Sequence, residues 1–84
     1  MKNKLLVNVY VMCLATEYEM YIPTNESVKL VIESMVTSIS ELSDGRIDKN
    51  AKYCLLDCES NAIYNYSLII RDTNIINGKK LILI

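Results

Sequence analysis

Histidine is absent from this 84-residue chain, which excludes a Ser-His-Asp or Cys-His nucleophile pair; any cysteine thiolate would need another activator. Glycine is nearly absent. Gly45 and Gly78 are the only two, and neither stands in a Gly-rich loop that cradles phosphates, so nucleotide binding has no support. There is no block of like charge either: nine Lys and Arg are scattered among ten acids, for a formal net charge of -1. Without a basic stripe, neither nucleic acid nor an anionic bilayer is an expected partner. No apolar run approaches the roughly 20 residues needed to span a bilayer. The stretch from Leu5 to Leu14 is interrupted by Asn8 and lacks the layout of a cleavable signal. The cysteines, Cys13, Cys54 and Cys58, are an odd set without a secretion signal, which suits reduced thiols better than a disulfide framework. The expectation is a cytoplasmic protein with no direct membrane insertion.

What is present is ample apolar material: 51% of residues are hydrophobic and 23% charged, the profile of a folding chain rather than a disordered one. Eighty-four residues fit one domain, 1–84, with little room for both a core and a separate catalytic cleft. From Leu5 to Cys13 the β-branched Val7, Val9 and Val11 alternate with Asn8, Tyr10 and Met12, which predicts a half-buried strand with its odd-numbered side inward. After a break at Ala15 and Thr16 the alternation resumes, with Tyr18, Met20 and Ile22 on one face and Glu17 and Glu19 on the other. Pro23 ends this second strand, and Asn25 or Ser27 offers an oxygen to cap a helix starting near Val28.

Val28, Val31, Ile32, Met35, Ile39 and Leu42 then follow helical spacing, with Lys29, Glu33, Thr37 and Glu41 on the opposite side. Ser43-Asp44-Gly45 signals the stop, and the polar segment through Lys52 reads as a solvated loop. A third strand is expected at Tyr53–Asp57, a turn at 58–61, a short fourth strand at Ala62–Tyr66 and a fifth at Leu81–Ile84 after an Asn77-Gly78 turn. The resulting ββαββ(β) order predicts an α+β domain in which one amphipathic helix covers a mixed sheet and the first and last strands are parallel neighbours.

This pattern resembles the ubiquitin-like, or β-grasp, proteins over nearly the whole chain. The resemblance rests on the hairpin, Pro23, the helix opening Val28-Lys29-Leu30-Val31-Ile32, and Leu68, Asp72, Ile75, Gly78, Leu81 and Leu83 near the end. Within that group, the helix opening and the run Ile75-Ile76-Asn77-Gly78-Lys79-Lys80-Leu81 resemble the small bacterial YukD/EsaB-like proteins that accompany type VII (WXG100-type) secretion. The resemblance implies a cytoplasmic accessory or regulatory component that touches a membrane-embedded secretion complex. The Gly-Gly tail of conjugated modifiers and sulfur carriers does not appear before Ile84, so conjugation is not expected.

Sites for chemistry are weakly specified. Cys54 and Cys58 with Cys13 would supply three thiolates to a metal that wants four ligands, so free cysteines are the better reading, and no cofactor is expected. The pairs Asp44 with Asp48 and Asp57 with Glu59 fall in polar turns and read as solvated acids; Lys79 and Lys80 read as a solubilising turn. Leftover apolar residues are more informative. If Cys54 and Leu56 face inward on strand three, Leu55 and Tyr53 face out; if Leu81 and Leu83 are core, Ile82 and Ile84 are outside. An outward cluster of Tyr53, Leu55 and Ile82, extended by Tyr10 and Met12, matches the sheet surface that ubiquitin-like proteins use for recognition. The function expected is therefore non-catalytic protein binding, with Leu55 and Ile82 as anchors. A structural homo-oligomer, for example a homodimer through the same face, and an adaptor of an unrelated complex are the rivals.

Overall fold

The computed structural model describes residues 3–84. The first strand, β1 (Lys4–Val11), turns through a short 3-10 segment at Met12–Leu14 into β2 (Thr16–Pro23). Ala15 closes the turn in the left-handed region, φ 49°, with its N–H on the Met12 carbonyl. The two strands pair antiparallel from Lys4 opposite Pro23 to Val11 opposite Thr16. This register sends Val7, Val9 and Val11 inward beside Met20, Tyr18 and Thr16, as the alternation predicts.

The helix α1 (Val28–Leu42) starts where its amides are all met. Ser27 is the N-cap, its Oγ accepting from the Leu30 N–H, and the Val28 and Lys29 N–H groups donate to the Leu68 and Tyr66 carbonyls. The later loop is thus tied to the start of the helix. Val28, Val31, Ile32, Met35, Val36 and Ile39 are buried against the sheet. Leu42, expected on this apolar face, is instead 67% exposed. The buried side of the helix ends at Ile39; Ile47, from the loop expected to be solvated, folds back into the core in its place. Asp44 and Gly45 then reverse the chain with φ 55° and 76°.

The remaining strands are short. β3 (Leu55–Asp57) and β4 (Lys80–Leu83) complete a four-stranded sheet in the order β2-β1-β4-β3. β4 runs parallel to β1 at its centre and antiparallel to β3 at its edge. The expected fourth strand at Ala62–Tyr66 is reduced to one bridge, Leu56 with Ile63, because the chain then leaves the sheet to place the Tyr66 and Leu68 carbonyls under the helix. Asn77 and Gly78 make the turn into β4: Asn77 Oδ1 accepts the Leu6 N–H, and Gly78, at φ 83°, donates to the Leu6 carbonyl at 2.7 Å. One hydrophobic cluster results, built from the inward side chains of all four strands, α1, Ile47, Ile70 and Ile75. Among the described residues no helix is long and apolar enough to cross a membrane.

Candidate functional site

The sheet has one helix, on one side, and the register determines what its other side presents. Leu55 pairs with Leu83 and is fully buried, so β3 has the opposite parity to that expected from sequence. Leu56 and Cys54 face away from the helix; Leu55 is a core residue and is removed from the candidate surface. Tyr53 is removed with it. It packs against the core on the helix side, its hydroxyl donating to the Asp48 carbonyl at 2.7 Å. Desolvation, and to a lesser degree the neighbouring Cys13 and Asp48, raise the pKa of this phenol.

Tyr10 and Ile82 stay where the sequence placed them, and the register aligns them. Ile63 bridges Leu56, Leu56 pairs with Ile82, Ile82 with Tyr10, and Tyr10 with Glu17. Side chains at paired positions share a face, so these five form one row across the whole sheet, apolar until it meets the acid on β2. Ile63 is 64% exposed and Tyr10 36%, whereas Leu56 and Ile82 are half-buried within the row. Above it the Cys54 and Ile84 backbones exchange hydrogen bonds, and Ile84 and Met12 expose further apolar surface. Below it the next row is polar: Lys80, Asn8 and Glu19. The outer face is therefore an apolar band with a polar border on one side and acids along the β2 edge.

A second feature escaped the sequence reading entirely. Asp57, expected in a solvated pair with Glu59, is buried on β3. Its carboxylate accepts the Glu59 N–H at 2.9 Å and the Asn74 amide at 3.1 Å, and pairs with Lys79 at 3.0 Å. Asn74 in turn accepts the Tyr64 hydroxyl at 2.6 Å. The Glu59 N–H first, then the Lys79 ammonium, hold the Asp57 carboxyl down at about 2 in spite of its burial. Burial, and then the Asp57 charge, push the Tyr64 phenol up to about 12. Two of the three partners, Asn74 and Lys79, lie 17 and 22 positions from Asp57, beyond the reach of any local motif. A carboxylate tied to three donors and held fully ionised is suited to fastening β3 to the segment before β4, not to moving protons. Lys79 is accordingly a structural cation rather than a solubilising one, while Lys80 is exposed. The cysteines are free, with Cys13 and Cys58 exposed, and Cys54 Sγ lies 3.5 Å from the Tyr66 hydroxyl.

The sheet order β2-β1-β4-β3, with parallel central strands and the helix crossing between the second and third strands, has counterparts among solved structures. The ubiquitin-like domain of the Mycobacterium tuberculosis type VII secretion protein ECCD1 superposes with a TM-score of 0.72 at 13% identity, covering 96% of this chain and 97% of that one. This chain has the ubiquitin-like β-grasp fold. The EccD5 ubiquitin-like domain from Mycobacterium xenopi gives a TM-score of 0.75 at 9% identity, over 95% of this chain and 91% of its own. A chain of the toluene 4-monooxygenase HD complex with 4-bromobenzoate gives 0.77 at 10% identity, over 95% of both chains. By sequence alone, this β-grasp chain matches no family profile and no curated protein.

Proposed function

We propose that this β-grasp domain is a non-catalytic, cytoplasmic interaction module, and that its partner is the cytosolic part of a membrane-embedded type VII secretion complex. The observation that carries the binding function is the row Ile63, Leu56, Ile82, Tyr10, apolar side chains aligned across the helix-free face and covered by no element among the described residues. Half-buried Leu56 and Ile82 supply the centre of such an interface, and the polar row of Lys80, Asn8 and Glu19 supplies a rim. The type VII assignment is supported by the resemblance of the sequence to YukD/EsaB-like proteins and by the likeness of the fold to the ECCD1 and EccD5 domains.

A second reading, an adaptor of an unrelated multi-subunit complex, is favoured by the toluene 4-monooxygenase neighbour, whose chain is matched over the same share of its length. Both readings use the same face, so one experiment serves. The tagged domain is cross-linked in cells that carry a type VII system, and its partners are compared with those of the Ile82→Glu variant. Recovery of secretion-complex subunits by the parent, lost in the variant at an unchanged melting temperature, is the expected result. Recovery of an oxygenase in their place supports the second reading. Partners indifferent to Ile82→Glu would show that the outer face is not the binding surface. A homodimer through the same face would show instead as concentration-dependent sedimentation that Ile82→Glu abolishes.

A further inference from the structure

On the helix side of the domain, away from the outer face, the flank of α1 that meets the 49–53 segment carries a recess. Its floor is Ile32 and Val36, both also members of the core. Its walls are Tyr53 and Tyr66. Both phenols are already engaged: Tyr53 donates to the Asp48 carbonyl at 2.7 Å, and Tyr66 to the Tyr53 carbonyl at 2.6 Å. The two rings are therefore held in place before anything binds, and a ligand meets ring surface rather than loose side chains. The space is about 600 Å³, enough for one large side chain with its flanking backbone.

The rim has a sign. Lys29, Lys49 and Lys52 stand around the recess against a single acid, Glu33. The one ion pair among the described residues is Lys79 with Asp57, so these three ammonium groups have no carboxylate partner there. Asp48 lies close by, with its Oδ1 accepting the Asn50 N–H at 2.8 Å. The opposite flank of the same helix, toward β2, has a recess bordered by Glu26 and Glu33 and by no cation. The two sides of α1 thus differ in the charge they attract, and only the Tyr53 side combines a fixed aromatic wall with unpaired cations.

We infer that this recess docks a segment of a partner protein in which one aliphatic or aromatic side chain is flanked by Asp or Glu. The apolar side chain fills the space over Ile32 and Val36, and the flanking carboxylates meet Lys29, Lys49 and Lys52. Because the recess and the outer sheet face lie on opposite sides of the sheet, this site is independent of the one under Proposed function, and both can be occupied at once.

The test is a titration of the full chain, followed by backbone amide NMR, with a short capped peptide bearing one central Leu-Phe between acidic residues. A control peptide replaces each acid by Lys. Saturable shifts are expected in residues 29–37, 49–53 and 66 with the acidic peptide alone, leaving Tyr10, Leu56 and Ile82 unmoved. Reversing two rim charges with Lys49→Glu and Lys52→Glu is expected to weaken binding roughly tenfold or more at an unchanged melting temperature. Ile82→Glu is expected to leave this binding intact. The inference is overturned if the acidic peptide does not saturate, if the basic peptide binds as well, if the shifts map to the outer face, or if charge reversal has no effect. It is also overturned if the chain alone self-associates through this recess and Leu42→Ser abolishes the association, since exposed Leu42 lies between Glu41 and Asp44 and would make a second copy the occupant.

Discussion

Adjacent leucines on β3 provide the sharpest test of the sheet register. Leu55 is fully buried and pairs with Leu83 inside the core, whereas Leu56 pairs with Ile82 on the uncovered face and is half-buried. Truncating Leu55 to Ala removes apolar contacts and leaves a cavity between sheet and helix, a change that costs ~2–5 kcal/mol in packed cores. Truncating Leu56 leaves no enclosed cavity, because no helix or strand among the described residues covers that face; only part of a side-chain transfer term of ~1.5–3 kcal/mol is lost, about 1 kcal/mol. For a domain of this size each kcal/mol moves the melting temperature by about 4–8 °C. Leu55→Ala, taken at ~3 kcal/mol, is therefore expected to melt about 12–24 °C below the parent, and Leu56→Ala about 4–8 °C below it. The contrast should widen with a charge. Leu56→Glu can turn its carboxylate to water, but Leu55→Glu buries one without a partner, and a total stability of roughly 4–13 kcal/mol for 84 residues leaves little to absorb it. Circular dichroism melts of the four variants at pH 7 give the answer. Equal losses at the two positions, or a folded Leu55→Glu beside an unfolded Leu56→Glu, would refute the register and with it the composition of the outer row.

The Asp57 carboxyl sits at about 2 in the folded chain against an ordinary 3.8, so it contributes stability that is fully present above pH ~4 and is lost as the pH falls toward 2. Melting curves between those limits should fall less steeply for Asp57→Asn than for the parent. Tyr64 works in the opposite direction: held near 12 against 10.0, it contributes stability complete below pH 10 and lost as the pH rises to 12, a loss that Tyr64→Phe should remove. Lys79→Met leaves the Asp57 carboxylate without its cation and should destabilise clearly more than Lys80→Met, which touches an exposed side chain; comparable urea midpoints would show the ion pair to be dispensable. Ser27→Ala removes the oxygen that meets the Leu30 N–H and is expected to cost about 1 kcal/mol, read from the shift in the same midpoint.

Most of the architecture was legible because period and punctuation agree over long stretches. The β-branched Val7, Val9 and Val11 fall on strictly alternate positions, Pro23 and Ser27 mark a strand end and a cap, and the switch to helical spacing at Val28 leaves one interpretation. The final Asn77-Gly78 turn and the Leu81, Leu83 alternation were equally plain, so the parallel centre of the sheet could be expected. Leu42 and Ile47 were misjudged for a reason that periodicity does not contain: which apolar side chain near a helix end is buried depends on where the sheet beneath it stops.

The error on β3 has a more particular cause, and it explains why Tyr53 and Leu55, two of the five expected surface residues, were misplaced. Across Tyr53, Cys54, Leu55 and Leu56 every residue is compatible with burial, so the alternation carries no phase, and the only polar residue that could set one is Asp57. An acid is ordinarily assigned to the solvent side, or to a turn. Here it points inward, because three donors, the nearby Glu59 N–H and the sequence-distant Asn74 and Lys79, compensate the buried carboxylate. Since adjacent strand positions face opposite ways, burying Asp57 buries Leu55 with it and turns Leu56 out. The polar cluster and the apolar outer row are thus one structural fact seen from the two sides of the sheet: losing the donors around Asp57 should loosen β3 and blur the Leu56–Ile82 centre of the row, even though none of the donors lies on that face.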